Sequence, residues 1–184
     1  GGGGAVDETL SLPIDGSTHV RCLQPLGADR CLAAATGTGA GSDAVLLWSL
    51  ARAAPLPPLR TPCGVGCLGA LHGQLVCGGA DGTITMWDVA ASAEVVGSQH
   101  HRTATLEPAV DAVGAEVTCL QTLEAAGLIA SVSAATPATV HMWDPRGPQQ
   151  LARTIGGGGG GFGRGAASGG SAVTCLAATR DTLL

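Results

Sequence analysis

Gly78-Gly79-Ala80-Asp81-Gly82-Thr83-Ile84-Thr85-Met86-Trp87-Asp88 is the stretch that decides the fold of this chain. The apolar run Leu75-Val76-Cys77-Gly78 leads into it. Asp81-Gly82 is a tight-turn dipeptide, because glycine adopts positive φ without steric cost. Beyond the turn, threonine alternates with larger apolar side chains up to Trp87, which is the period of a strand. The stretch therefore reads as a hairpin whose second strand ends on a tryptophan.

The same hairpin recurs on both sides. Asp43-Ala44-Val45-Leu46-Leu47-Trp48-Ser49 precedes it, and Ala138-Thr139-Val140-His141-Met142-Trp143-Asp144 follows it. Val45, Ile84 and Val140 share a column, as do Leu47, Met86 and Met142. Each tryptophan strand is preceded by a short apolar run, Cys31–Ala34, Leu75–Gly78 or Leu128–Ser131. A second mark punctuates the chain. Val-x-Cys-Leu begins at Val20, Val65, Val117 and Val173, at separations of 45 to 56 residues. A fourth strand is expected over Ala93–Gly97 in the second unit and Gln150–Ile155 in the third. In the first unit that place holds Ala54-Pro55-Leu56-Pro57-Pro58-Leu59, so the strand there is an edge or absent, because proline cannot donate to a ladder.

A repeat of this length with four strands per unit is the signature of β-propeller blades. The expected fold is all-β, a partial β-propeller of about three four-stranded antiparallel blades plus the start of a fourth. Blade-like units are expected at about 20–60, 65–100, 117–155 and 173–184, with a glycine-rich insertion over 156–172. A closed ring takes about 4–8 blades, so the expectation is a segment of a longer propeller. The alternative is a small array closed by a second copy. Thr9-Leu10-Ser11-Leu12 reads as the outer strand of a preceding blade.

Over about residues 20–184 the chain resembles the WD-repeat family, on the strength of Gly78–Asp88 and the similar ending Met142-Trp143-Asp144. The resemblance implies that Trp48, Trp87 and Trp143, with Asp81, Asp88 and Asp144, are structural repeat positions. It also implies that Asp81 belongs to a buried hydrogen-bond network with a histidine, a Ser/Thr and the tryptophan. The family's Gly-His pair is missing. His19 and His100-His101 do not fall where that pair stands, so the network lacks its histidine. The resemblance further implies a protein–protein interaction scaffold. The alternative is the WD-repeat region of a larger multidomain enzyme, such as an inositol-polyphosphate phosphatase, a kinase or a ubiquitin-ligase component, with its catalytic domain outside this segment.

Composition narrows the chemistry. The core must be built from Ala, Val, Leu and Cys, because aromatics are 2% of the chain and tyrosine is absent. Small side chains bury less area each, so marginal stability is expected. The net charge of −5 argues against nucleic acid or an anionic membrane as partner. All nine basic residues are arginine, which excludes a Gly-Lys-Ser/Thr phosphate loop and a Schiff-base lysine within this sequence. No apolar run is long enough for a membrane span. The expected partners are other proteins.

Cys22, Cys67, Cys119 and Cys175 share one repeat column and read as packed thiols on a strand. The odd total of seven argues for a reducing, intracellular compartment, cytoplasmic with a nuclear place left open. Cys63, Cys67, His72 and Cys77 do not have the spacing of a structural zinc site, so no metal is expected. Gly161-Phe162-Gly163-Arg164-Gly165-Ala166 matches a dinucleotide fingerprint by chance in a glycine run, because a strand rather than a helix follows. No cofactor is expected. The stretch Gln99–Glu116 reads as a long loop, with His100-His101 solvated. No Gly-x-Ser-x-Gly or His-Glu-x-x-His occurs, so no catalytic residue is assigned. Pro55, Pro58 and Arg60 fit Pro-x-x-Pro-x-Arg, a pattern that SH3 domains take as a polyproline helix. A stiff connector between blades is the reading preferred for it.

Overall fold

Three stacked meanders make up the chain in a computed structural model that describes residues 19–26, 31–37, 44–50, 52–89, 100–147, 150–156, 172–179 and 182–183. The first sheet holds β1 (His19–Leu26), β2 (Cys31–Gly37), β3 (Ala44–Ser49) and β4 (Ala54–Arg60). The second holds β5 (Val65–Leu71), β6 (Gln74–Gly79), β7 (Ile84–Asp88) and β8 (His101–Leu106). The third holds β9 (Val117–Leu123), β10 (Leu128–Ser133), β11 (Thr136–Trp143) and β12 (Leu151–Gly156). Each sheet runs in chain order and is antiparallel throughout. A two-stranded ladder, β13 (Ala178–Thr179) with β14 (Thr182–Leu183), follows. Every regular element among the described residues is a strand, and no helix there is long and apolar enough to cross a membrane.

The fourth strand of the second sheet differs from the expectation. It is His101–Leu106, inside the stretch read as a loop, and it pairs Ile84 with Leu106 and Asp88 with His101. An outer strand needs only one inward face, and this one meets the core through Leu106 at its end. Its apolar content is therefore a poor guide to its position. Ala93–Gly97, Thr9–Leu12 and 157–171 of the glycine tract lie outside the described residues. The proline stretch does form a strand, at the sheet edge, with Pro57 and Pro58 together opposite Leu46 in a bulge.

The innermost strands share one irregularity. Val65 pairs with Gly79 and Cys67 with Gly78, so Gly66 is an extra residue without a cross-strand partner. Arg21 is extra in the same way between Val20 and Cys22, and Thr118 between Val117 and Cys119. The Val-x-Cys motif is thus a β-bulge, in which one added residue resets which face the side chains point to. Without it, Val and Cys would share a face. With it, Val65 and Leu68 point to the first sheet and Cys67 to the third. Val117 and Leu120 likewise join the core shared with the second sheet.

The hydrophobic cores accordingly lie between sheets. Leu26, Ala33, Val45, Leu47 and Leu59 of the first sheet bury against Val65, Leu68, Leu75 and Trp87 of the second. Cys67, Leu71, Ile84, Met86 and Leu106 meet Val117, Leu120, Ile129 and Trp143. The third sheet's far face packs against Leu176 and Val173, which run alongside it without joining a ladder. The Val173 amide donates to the Pro137 carbonyl at 2.7 Å.

The first sheet lacks such a neighbour among the described residues, and its equivalent positions show it. Val20 is 39% exposed and Leu23 54%, although Val65, Leu68, Val117 and Leu120 in the same columns are buried. Truncation should expose this asymmetry. Leu68→Ala is expected to cost about 2–5 kcal/mol by leaving a cavity, and Leu23→Ala less than about 1 kcal/mol. Urea unfolding of the two variants checks it, and equal losses would contradict the stacking described.

Candidate functional site

The tryptophan column sits at the third strand of each sheet and is buried in all three. Its polar atom is handled differently each time. Trp143 Nε1 donates to Ser131 Oγ at 2.8 Å, across the ladder from β10. Trp87 Nε1 donates to Thr85 Oγ1 at 2.9 Å, two residues back on its own strand. Trp48 Nε1 is buried with no partner. Register explains why. Ser131 faces His141, two residues before Trp143, and the matching pair in the first sheet is Ala34 with Leu46. Neither of these offers an oxygen.

His141 takes the place that Thr85 holds in the second sheet. It is 2% exposed, its Nε2 lies 3.3 Å from Thr136 Oγ1 and 3.8 Å from Asp111 Oδ1, and its Nδ1 has no partner. Hydroxyl, imidazole and carboxylate are the residue types of a nucleophile relay. Here both oxygens approach the same nitrogen, whereas a relay sets the carboxylate on the opposite one.

The aspartates hold turns. Asp81 Oδ1 accepts from the Thr83 amide at 3.0 Å, from Thr83 Oγ1 at 2.7 Å and from Cys63 Sγ at 3.2 Å. Burial alone would raise its pKa. The hydrogen bonds from Thr83 and Cys63 outweigh that and hold the carboxyl below the usual range. The turn needs Gly82, whose φ is +90° and whose added Cβ would lie 2.6 Å from the Ala112 carbonyl. That carbonyl belongs to the crossing 107–116, which is tied back by the Gly114 amide donating to the Asp81 carbonyl at 3.0 Å. Asp144 accepts from the Arg146 amide at 3.0 Å and from Arg146 Nε at 2.9 Å, and the arginine depresses its pKa. Asp88 closes β7 opposite His101.

The cysteine column links neighbouring inner strands. Cys67 Sγ donates to the Val117 carbonyl at 3.2 Å, the Leu176 amide donates to Cys119 Sγ at 3.2 Å, and Cys22 packs against the core shared with the second sheet. Cys67 is buried, Cys22 and Cys119 are half-buried, and Cys175 is exposed and outside any strand. Desolvation raises the pKa of Cys22, Cys67, Cys77 and Cys119, so these thiols stay protonated. Burial and then Asp81 raise that of Cys63. Cys63 precedes β5 and His72 follows it, so the strand's seven residues hold them about 20 Å apart. No group of three possible metal ligands forms among the described residues.

Two surface features escaped the sequence reading. Arg21 Nη1 meets Glu116 Oε1 at 2.7 Å, joining the first sheet to the start of the third across the second. Gly66 makes the span possible, because an added Cβ would come within 2.6 Å of that same oxygen. The pair is partly exposed and contributes about 0–1 kcal/mol. The crossing 107–116 buries Ala109 and Ala112 while Val110 and Val113 are 96% and 68% exposed. On the outer side, Pro55, Pro58 and Arg60 are exposed on β4.

No protein-family model matches this sequence, and no curated protein does. The fold is similar to a chain in a crystal structure of the mitotic checkpoint complex, with TM-score 0.57 and 18% identity over 75% of this chain and 37% of that one. It is also similar to the computationally designed Ika4 protein, with TM-score 0.64 and 19% identity over 96% of this chain and 89% of that one. The designed Ika8 protein matches with TM-score 0.60 and 18% identity, over 89% of this chain and 41% of that one. At these identities the likeness concerns the fold, which is an all-β, propeller-like array of four-stranded antiparallel sheets.

Ala34→Ser would give Trp48 the hydroxyl that Ser131 gives Trp143. It should stabilise the chain by about 0.5–1.5 kcal/mol. Denaturant unfolding measures this, and unchanged or lower stability would refute the account of the tryptophan column.

Acid should weaken the Asp81 turn. A depressed pKa means the stabilisation is present above the unfolded value of 3.8 and is lost as pH falls through the lower folded value. Asp81→Asn should therefore melt lower than the parent at pH 6, and the gap should narrow below about pH 4. A gap that is constant with pH would assign the loss to something other than the carboxylate.

Proposed function

We propose that this chain is a WD-repeat propeller segment acting as a non-catalytic scaffold for other proteins. The WD-repeat part draws support from Asp81 in its turn, from the two Trp-Asp strand ends, and from the hydroxyl–indole bonds of Trp87 and Trp143. These are the aspartate, Ser/Thr and tryptophan residue types of the network that the resemblance implies, but they are not joined as it implies: Asp81 bonds Thr83 and Cys63 at the surface, and Trp87 bonds Thr85 separately.

The scaffold part rests on how the polar groups are used. Asp81 and Asp144 hold turns, and Glu116 joins sheets. Glu124 accepts from the His72 amide at 2.8 Å. The thiols whose pKa is raised are poor nucleophiles. The side chains that the fold does push outward include the apolar pair Val110 and Val113, on a crossing pinned by buried alanines. Apolar groups presented outward on a pinned loop suit protein contact. The partners are proteins, and the compartment is intracellular, where free thiols persist. A fold neighbour taken from a multi-protein complex is compatible with such a role.

Val110→Glu with Val113→Glu tests the reading. The parent and this double variant serve as bait in quantitative affinity enrichment, at equal folded fraction by circular dichroism. At least one enriched protein should fall tenfold or more with the variant. Identical recoveries would refute the loop as a contact surface.

A further inference from the structure

The outer strand of the first sheet has a periodicity that a regular strand does not. Along β4, Leu56 and Leu59 turn inward, Leu59 to 1% exposure, while Pro55, Pro57, Pro58 and Arg60 are exposed. The inward pair is three residues apart. So are the outward pairs Pro55 with Pro58 and Pro57 with Arg60. A regular strand alternates every two residues. The bulge at Pro57-Pro58 produces the change, by placing Leu56 opposite Leu47 and Leu59 opposite Val45. Proline fixes φ near −65°, close to that of the polyproline II helix, which has three residues per turn. From residue 55 to residue 60 the bulged strand thus shows on its outer side the three-residue spacing of such a helix, and the two leucines fix it to the sheet.

We propose that Pro55, Pro58 and Arg60 are a ligand for an SH3-type domain, presented ready-made on the outer rim. The proposal rests on the scaffold reading and names one partner for it. An SH3 groove takes prolines three apart on a preformed polyproline helix and leaves every third residue unread. Here the unread residues are the two leucines that the fold uses. The flanking arginine sets the orientation by pairing with an acidic group beside the groove. Among the described residues no carboxylate pairs with Arg60. Strand addition is the competing way to use a sheet edge. Pro57 and Pro58 carry no N–H, so this edge is blunted against it. His100 Nε2 donates to the Pro57 carbonyl at 2.8 Å and leaves Pro55 and Pro58 exposed. Holding these residues extended in the folded state removes part of the ordering cost that a free peptide meets on binding.

The test uses the whole folded chain. It is titrated into an isotope-labelled SH3 domain selective for Pro-x-x-Pro-x-Arg, with the groove resonances followed by NMR. Saturable shifts confined to the groove are expected. Arg60→Glu and Pro58→Ala should each weaken binding at least tenfold. Arg153→Glu, on the exposed outer strand β12 without prolines, should change it less than twofold. Thermal melts confirm that each variant is folded, and Arg60→Glu alters only an exposed side chain. No groove shifts from the parent, or equal affinity for Arg60→Glu, would overturn the proposal. So would binding by a synthetic 53–61 peptide but not by the folded chain, since the ligand would then be locked away. The double variant Val110→Glu with Val113→Glu should bind the SH3 domain normally, which separates failure here from failure of the loop surface.

Discussion

One extra residue in each innermost strand governs how this chain stacks. In Val-x-Cys-Leu the bulged residue turns a two-residue alternation into a three-residue step, so valine and leucine face the preceding sheet and cysteine the following one. Both faces of the inner strand are thereby given work. Val65 and Leu68 fill the core toward the first sheet, and Cys67 reaches the Val117 carbonyl of the third. A regular strand would put Val65 and Cys67 on one face and leave Leu68 alone on the other. The side chain at the bulge is free of packing and serves the inner rim instead. Arginine there reaches across to Glu116, and glycine beneath it leaves the path open.

Polar atoms buried by this stacking must be satisfied locally, because neighbouring sheets offer mainly aliphatic surface. An unmet buried donor costs about 1–3 kcal/mol. The second and third sheets meet the indole N–H from different strands, Thr85 in one and Ser131 in the other. The repeat thus conserves the requirement and not the residue. Where both candidate positions turned apolar, as at Ala34 and Leu46, the indole was left unpaired. His141 shows the converse, since a group larger than threonine in that place brings a second ring nitrogen that finds nothing.

The parts that were legible in the sequence are those fixed by local chemistry. The Asp81-Gly82 turn, the alternation up to Trp87 and the shared columns of Val45, Ile84 and Val140 all lie within single hairpins. The bulge was hidden because its extra residues are arginine, glycine and threonine, which share no chemistry, and only the ladder shows them unpaired. Position β8 was hidden for a different reason. His101-Arg102-Thr103 are exposed, and an outer strand can be polar along most of its length. The contact between Arg21 and Glu116 joins residues 95 apart, a relation that no local pattern encodes. Proline in β4 was read as a threat to the ladder, yet the bulge accommodates it and makes its three-residue step useful.

No sheet here owns a core. Two clusters are each shared by neighbouring sheets and the third by a sheet and the segment 173–176, so the stability of a sheet is set by its interfaces, as in a one-dimensional array. The consequence falls unevenly along the chain. The second sheet is covered on both faces and holds six of the twelve largest fully buried side chains among the described residues, twice as many as either neighbour. The third gains a cover from Val173 and Leu176, which supply the same valine–leucine step without a ladder of their own. The first sheet presents Val20 and Leu23 in that very step. Among the described residues nothing covers that step, whereas the same two columns are core in the second and third sheets.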